Sequence, residues 1–358
     1  EVLLAVTTLA LAGFGAVAYW RSHTKDPGLT SETALLLAAL LGGLAQREIA
    51  IASGIAVVVT ILLAARTPLH HFVRAVLSEQ EVTDALIFVA AVLVVLPLTP
   101  NRYLGPFGAI NPRTIWKIVI LMISISAGGY IAVRLVGARF GLPIAGFASG
   151  FVSSTATIGA MGERAAHEPA LVRPAVAGAV LSNVATVIGM ALVLAATSPP
   201  VLSLLRVPLT AAGIVATAYG ALLMLLSARH PVSQHLHPGH AFSLKTALGL
   251  GGTIAVVLLL SAALNAWFGE RGVLAAAAIA GFADTHSAAV SVASLVAANK
   301  MAAREAVVPI LAGLTTNTIS KVVFASLAGG RRFAAQVVPG LLLMIAATWI
   351  GLAFLLAR

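Results

Sequence analysis

The sequence predicts an all-α polytopic membrane protein with about 11–12 membrane segments and an internal repeat that contains glycine-broken helices. Of its 358 residues, 59% are hydrophobic and 9% are charged, whereas a soluble domain carries about 25% charged residues. Several apolar runs reach the roughly 18 residues that a helix needs to cross a bilayer. These runs are continuous and rich in Ala, Leu and Gly, a pattern that excludes the alternating strands of a transmembrane barrel.

The N-terminal region, residues 1–100, contains four predicted spans joined by short polar links. Thr30 and Glu32 supply a hydroxyl cap and an acid for the first turn of the second span. The segment 68–79 mixes apolar residues with His, Arg and Glu, so we expect an amphipathic helix that lies at the membrane interface. The four spans are predicted at residues 2–20, 30–45, 49–64 and 82–98.

The remainder of the chain contains two related stretches, which we interpret as an internal duplication. The matched residues keep their order and are Gly141 with Gly272, Gly150-Phe151 with Gly281-Phe282, Pro174 with Pro309, Ala177-Gly178 with Ala312-Gly313, and Ser182-Asn183 with Thr316-Asn317. The glycine-rich segments at 141–165 and 272–298 either pack closely against neighbouring helices or contain an unwound turn. The sequence therefore predicts a first repeat at 101–229, a His-containing connector at 230–242 and a second repeat at 243–358.

The second glycine-rich segment contains adjacent polar residues inside an apolar run: Asp284, Thr285, His286 and Ser287. A carboxylate at the bilayer centre costs about 2.5–3.5 kcal/mol, and such residues usually face the protein interior and have a function. Carboxylates, hydroxyls and freed carbonyls suit a hard cation, while an imidazole shifts the preference toward transition metals or protons. We therefore expect a substrate- or ion-binding site in which Asp284 and His286 are metal ligands. The alternative is that Asp284 caps the helix that follows it.

The first repeat has hydroxyls at the matching positions, namely Ser153, Ser154 and Thr155. Hydroxyl oxygens can coordinate an ion or bind the oxygens of a substrate, and the symmetry of the repeats favours this interpretation. The alternative is a local hydrogen bond from each hydroxyl to the preceding helical turn, which is common for Ser and Thr in membrane helices.

A polar pair recurs later in each repeat, and it adds Asn183, Thr316 and Asn317 to the predicted binding residues. These side chains can complete the site between the two broken segments. The alternative is that they form hydrogen bonds between helices, each worth about 0.6 kcal/mol.

Several classes of function are not supported by the sequence. Lys and Arg exceed Asp and Glu by 10 charges, but they are scattered at segment ends, where they anchor to lipid headgroups rather than bind nucleic acid. The absence of Cys removes thiolate sites. The chain contains no nucleophile elbow, no His-Glu-x-x-His motif and no phosphate-binding loop, so we expect neither an enzyme nor a bound cofactor.

The runs GFVSSTATIGAMGERA and GFADTHSAAVSVA, together with LPLTPNRYLGPFGAINPRTIWKIVI, resemble the domain of unknown function that is fused to MgtC/SapB-type membrane proteins. The N-terminal run GLTSETALLLAALLGGLA resembles the remainder of such a protein. The resemblance implies a multi-pass protein of the bacterial inner (plasma) membrane with a link to magnesium homeostasis. Because the chain opens with Glu1 directly inside an apolar run, we expect the native protein to have residues before it.

These observations predict a secondary transporter or ion permease for a cation, with a divalent cation as the first choice. The binding site is expected between the two broken segments, and the expected partners are the lipid bilayer, the inorganic cation or small solute and, in a homo-oligomer, further copies of the chain. A non-transporting regulator of another membrane complex and a transporter of an anion or small organic solute remain alternatives. The Lys and Arg counts of the loops are too even to decide whether the repeats are parallel or inverted.

Overall fold

The computed structural model describes residues 2–21, 30–65, 79–227 and 244–357. In these ranges the regular structure is helical, with one isolated bridge between Leu104 and Ile110 and no strand. The predicted all-α fold class is therefore confirmed. The chain divides into two compact units, Glu1–Gln80 and Glu81–Arg358.

In the first unit, the described residues between 2 and 65 form three helices, α1 (Val2–Arg21), α2 (Thr30–Ala45) and α3 (Ile49–Ala64). Helix α2 packs against both α1 and α3. The link between α2 and α3 is a tight turn, because the backbone N–H groups of Arg47 and Glu48 both donate to Leu44 O, at 3.0 and 2.8 Å. The predicted interfacial helix at 68–79 lies outside the described residues except for its last position.

The second unit contains the predicted repeats. Its helices are α4 (Glu79–Ala90, continued by a π-helical turn Ala91–Val95 and by Leu96–Leu98), α5 (Pro112–His167), α6 (Val172–Thr197), α7 (Pro199–Ser227), α8 (Leu244–Phe268), α9 (Glu270–Ala283), α10 (Thr285–Ala297) and α11 (Val307–Leu356). Helix α5 begins where Asn111 Oδ1 accepts a hydrogen bond from Thr114 N at 3.2 Å, with Pro112 in the first turn.

Both repeats contain a helix break at the same place. Ser153 interrupts α5 with extended backbone angles (φ −164°, ψ 107°), and Asp284 separates α9 from α10 with similar angles (φ −157°, ψ 125°). These two residues are the ones that the sequence comparison aligned. Further breaks occur at glycines with positive φ, at Gly141, Gly269 and Gly330. The second repeat therefore turns at Gly269 and not at Gly272, which the alignment matched to Gly141.

Several other glycines of the broken segments allow close packing. A Cβ added at Gly146 would lie 2.4 Å from Gly178 Cα, and one at Gly281 would lie 2.2 Å from Gly313 O. In the first repeat Gly150 meets the backbone of Ser182 in the same way. Each broken segment thus lies directly against the next helix of its own repeat, α6 or α11, with no room for side chains at the crossing.

The two repeats also pack against each other. Helix α6 of the first repeat contacts α10 of the second, and α11 of the second repeat contacts α5 of the first. At the latter contact, a Cβ at Gly162 would lie 2.8 Å from Gly329 N. Helix α6 and helix α11 therefore each pack against the broken segment of their own repeat and against that of the other repeat.

Helix α7 and the part of α11 after Gly330 are equivalent elements, and they run antiparallel. Gly351 lies against Pro208, and Gly340 lies against Tyr219. The residue numbers of the contacting pairs therefore fall in one helix as they rise in the other, as in antiparallel helices. The two helices share a pattern at a constant offset of 131 positions (351 − 220): Val207-Pro208 with Val338-Pro339, Ala216-Thr217 with Ala347-Thr348, and Gly220 with Gly351. Sequence reasoning missed this part of the duplication. Equivalent helices that run antiparallel make the repeats inverted.

Six segments of the described residues are long and apolar enough to cross a membrane: Glu81–Leu98, Gly141–His167, Pro169–Thr197, Pro199–Leu226, Leu248–Phe268 and Val307–Leu356, the last of which is interrupted at Gly330. Shorter apolar helices, including Ile49–Ile61 and Thr285–Ala297, accompany them. Many large apolar side chains on these helices are exposed, among them Leu225 and Leu327. This surface suits contact with lipid, and the protein is a multi-pass membrane protein.

Candidate functional site

Asp284 caps the helix that starts at the second break. Its carboxylate accepts hydrogen bonds from Ser287 N at 2.7 Å, Ser287 Oγ at 2.6 Å and His286 N at 3.2 Å. His286 Nδ1 lies 3.2 Å from the same carboxylate. Four groups from the first turn of α10 therefore surround the two carboxylate oxygens, and the side chain of Asp284 is 32% exposed.

Ser153 makes the matching cap at the first break. Its Oγ accepts from Ala156 N at 3.2 Å, three residues later, just as Asp284 accepts from Ser287 N. Thr157 Oγ1 donates to Ser153 O at 2.8 Å, the local bonding expected of membrane hydroxyls. The geometry of the two breaks is alike, but one helix start is capped by a neutral hydroxyl and the other by a carboxylate.

Helix α6 connects the two breaks. Thr186 Oγ1 donates to Ser154 Oγ at 2.8 Å, so α6 is bonded to the first break. One turn later, the ring of His286 lies over Gly189, where an added Cβ would be 2.9 Å from Nε2. Thr186 and Gly189 are three residues apart and therefore share a face of α6. The structure thus brings the hydroxyls of the first break and the Asp284–His286 pair to one face of a single helix.

Lys321, in the middle of α11, points at the same face of α6. Its side chain is completely buried, and Nζ donates to Asn183 Oδ1 at 2.9 Å and to Thr186 Oγ1 at 3.3 Å. Asn183 in turn donates to Ala179 O and Val180 O, which fixes the orientation of its amide. His286, which contacts Asp284, lies over Gly189 one turn from Thr186 on that face. A buried ammonium is tolerated only where it is hydrogen-bonded, and this one is held by two neutral acceptors.

The model of a protein family described as "Domain of unknown function (DUF4010)" matches residues 120–329, more than half of the chain. The chain belongs to the DUF4010 family. Both breaks, α6 and Lys321 fall within the matched range, so the candidate site is part of the DUF4010 domain. No curated protein and no solved structure matches the chain. The MgtC/SapB part of the resemblance concerns residues before the DUF4010 match, and it stays a prediction.

The remaining predicted site residues of the DUF4010 chain do not all lie in the network around Lys321. Thr285 is buried in the first turn of α10, and its Oγ1 has no hydrogen-bond partner among the described residues. Thr155 is half-buried beside Ser154. Thr316 Oγ1 donates to Gly313 O at 3.1 Å, at the place where Gly281 crosses α11. Asn317 is buried one turn before Lys321. Thr316 therefore serves the helix crossing, while Asn183 belongs to the Lys321 network.

Two members of this network were not assigned by sequence reasoning. From the sequence alone, Lys321 lies deep in a span and either pairs with an acid or extends to the interface. Thr186 was not singled out. The sequence signal for Lys321 is a charged residue inside an apolar run. The signal for Thr186 is that it follows Ser182 and Asn183 at helical spacing, which places the three residues on one face of the helix.

The described residues contain no group of three or more His, Asp or Glu side chains that could hold a metal ion. Asp284 and His286 form a pair at the N-terminus of one helix, with Asp284 as its cap and His286 in its first turn. The histidines of the connector at 230–242 lie outside the described residues. What converges at the site is one buried ammonium, the starts of two helices, several hydroxyls and one carboxylate that is already hydrogen-bonded.

Proposed function

We propose that this protein is a secondary transporter whose inverted repeats carry a small anion through the point where the two helix breaks meet. Transporters built from inverted repeats bind their cargo at the repeat interface, where broken helices present free ends. The paired breaks at Ser153 and Asp284 supply that arrangement here. Helix α6 contacts both breaks, through Ser154 at the first and His286 at the second.

The buried ammonium of Lys321 is the observation that carries the choice of an anion. Its hydrogen-bond partners, Asn183 and Thr186, are neutral. The carboxylate of Asp284 is bonded to the first turn of its own helix. A cation at the site would have to displace those bonds and would lie in the field of the ammonium.

The helix starts support the same choice. Each helix N-terminus carries roughly half a positive charge. At α10 this charge is balanced by Asp284, but at the first break the cap is the neutral, exposed Ser153. The start of the helix after Ser153 and the ammonium of Lys321, which are linked through Thr186 and Ser154, therefore leave a net positive charge on this side of the site.

The test is flux in liposomes that contain the purified protein. Uptake is measured for chloride, sulfate, acetate and succinate, and for Mg²⁺, Ni²⁺, Co²⁺ and Zn²⁺. We expect flux of at least one anion and of none of the metal ions. Asp284→Asn keeps an oxygen that can cap α10 but removes the negative charge, so anion flux should persist with a lower KM. Metal-ion flux in the wild type that Asp284→Asn abolishes would overturn the proposal.

One observation favours a cation as the second candidate. The side chain of Asp284 is 32% exposed, and His286 Nδ1 lies 3.2 Å from it, so a rotation of His286 would open the carboxylate to a cation. This function predicts metal-ion or proton flux that depends on Asp284 and rises when Lys321 is made neutral. A non-transporting regulator predicts no flux of any ion. The amphipathic segment that we expect to contact its partner, near 70–79, lies outside the described residues except for its last position.

A further inference from the structure

The second unit contains a cavity of about 340 Å³ at the end of α10 that is remote from Asp284. Its walls come from the start of α5, the end of α6, α8 and the last turns of α10. The lining side chains that can hydrogen-bond include Asn111, Thr114 and Lys117 of α5, Thr197 of α6 and Ser294 of α10. None of the described residues that line it is acidic.

Three serines on α10 run from this cavity to the break. Ser287, Ser291 and Ser294 follow each other at spacings of four and three residues, so they share one face of the helix. Ser287 Oγ donates to Asp284 Oδ2 at 2.6 Å, and Ser291 Oγ donates to Ser287 O at 2.8 Å. The rise from Ser287 to Ser294 is about 10 Å at 1.5 Å per residue.

Ser294 differs from the other two serines in that its hydroxyl donates no hydrogen bond to another described residue. Its Oγ is buried and has no hydrogen-bond partner among the described residues, although the residue lines the cavity. A buried hydroxyl without a partner costs about 1–3 kcal/mol. Water or a hydrophilic solute in the cavity removes that cost, because the cavity is large enough for several water molecules.

We infer that this cavity is the entrance through which water and the cargo reach the helix break from one side of the membrane, along the serine face of α10. The inference rests on the proposed function for the identity of the cargo, a small anion. The inference that water reaches the helix break through this cavity depends only on the cavity and the serines, and not on the proposed function. Lys117, whose side chain is exposed, gives the lining its positive charge.

The chain has no native cysteine, so single cysteines report access without background. Ser294→Cys is treated, in liposomes, with a small membrane-impermeant thiosulfonate reagent from each side in turn. The matched control is Ser261→Cys, because Ser261 is also buried with an unpartnered hydroxyl but does not line the cavity. Thr114→Cys on the opposite wall is a second reporter in case Ser294→Cys folds poorly.

We expect Ser294→Cys and Thr114→Cys to react from one and the same side, at least about tenfold faster than Ser261→Cys. Reaction at Ser294→Cys should also block flux. Equal and slow reaction of Ser294→Cys, Thr114→Cys and Ser261→Cys would overturn the inference, whatever the flux. Fast one-sided labelling in a protein that moves no anion would instead leave the entrance in place and contradict the proposed function.

Discussion

Lys321 lies at the centre of the hydrogen-bond network of the candidate site, because its buried amine donates to Asn183 and Thr186. Asn183 is held by the backbone of α6, and Thr186 is bonded onward to Ser154. The ammonium therefore has a defined position between the repeats. A side chain placed in this way contributes to structure through its hydrogen bonds and, under the proposed function, to binding through its charge, and substitution can separate the two contributions.

Replacing Lys321 with Met should lower anion affinity by about 10- to 100-fold, because a hydrogen bond to a charged group is worth about 1.5–3 kcal/mol. Met has a similar length and leaves no buried charge, so the helix should still pack. The measurement is the KM for anion uptake, with the melting temperature recorded alongside. Lys321→Arg is the matched variant that keeps the charge. An unchanged KM in Lys321→Met at normal stability would show that the ammonium does not face the cargo.

Asp284→Ala should destabilise the protein by about 1 kcal/mol, because it removes the N-cap of α10. Asp284→Asn should lose much less, since an amide oxygen can still accept from the backbone of His286 and Ser287. Thermal unfolding in detergent distinguishes the two variants. Ser153→Ala tests the equivalent cap of the first repeat. Equal losses for Asp284→Asn and Asp284→Ala would mean that the charge, and not the cap, is the stabilising feature.

The sequence was informative about individual residues wherever a polar group interrupted an apolar run. Asp284 and the hydroxyls at 153–155 were found in this way, and the aligned residues Ser153 and Asp284 do have the same backbone geometry. The partners of Lys321 were not predictable, because they lie 138 and 135 residues away along the chain. Which face of α6 meets α11 depends on how the helices pack, and no local pattern encodes that.

The glycines within one helix differ in whether a close helix crossing depends on them. Gly146 lies against the backbone of Gly178, whereas at Gly159 the nearest atom to an added Cβ is Phe324 Cδ1 at 3.9 Å. Both glycines belong to α5 and look alike in the sequence. Only the three-dimensional arrangement shows that the first is required for contact with α6.

Gly146→Ala should therefore destabilise the protein by about 1–3 kcal/mol, because the added methyl group has to push two helix backbones apart. Gly159→Ala on the same helix is the matched control. It should be neutral or stabilising by up to about 1 kcal/mol, since Ala favours helix more than Gly does. Melting temperatures of both variants in one detergent give the comparison. A stable Gly146→Ala would contradict the close approach of α5 and α6.

At the scale of the whole second unit, the inverted arrangement explains why both breaks lie against one face of α6. An inverted repeat is related to its partner by a pseudo-two-fold axis in the membrane plane, so equivalent positions near mid-membrane are brought together from opposite sides. The antiparallel contact of α7 with the end of α11 is direct evidence for that arrangement. The loop charges did not reveal it, because an inverted pair distributes its Lys and Arg over both membrane faces.

Because the repeats are inverted, the structure predicts on which side of the membrane each of four residues lies. Pro200 and Arg331 are exposed residues at the starts of the two equivalent helices, while Leu225 and Leu356 are exposed residues near their ends. Single cysteines at Pro200 and Leu356 should react with an impermeant thiol reagent from one side of the membrane, and those at Arg331 and Leu225 from the other. Labelling of Pro200→Cys and Arg331→Cys from the same side would make the repeats parallel. That result would contradict the antiparallel contact of α7 with the end of α11, and the breaks at Ser153 and Asp284 would not be related by inversion.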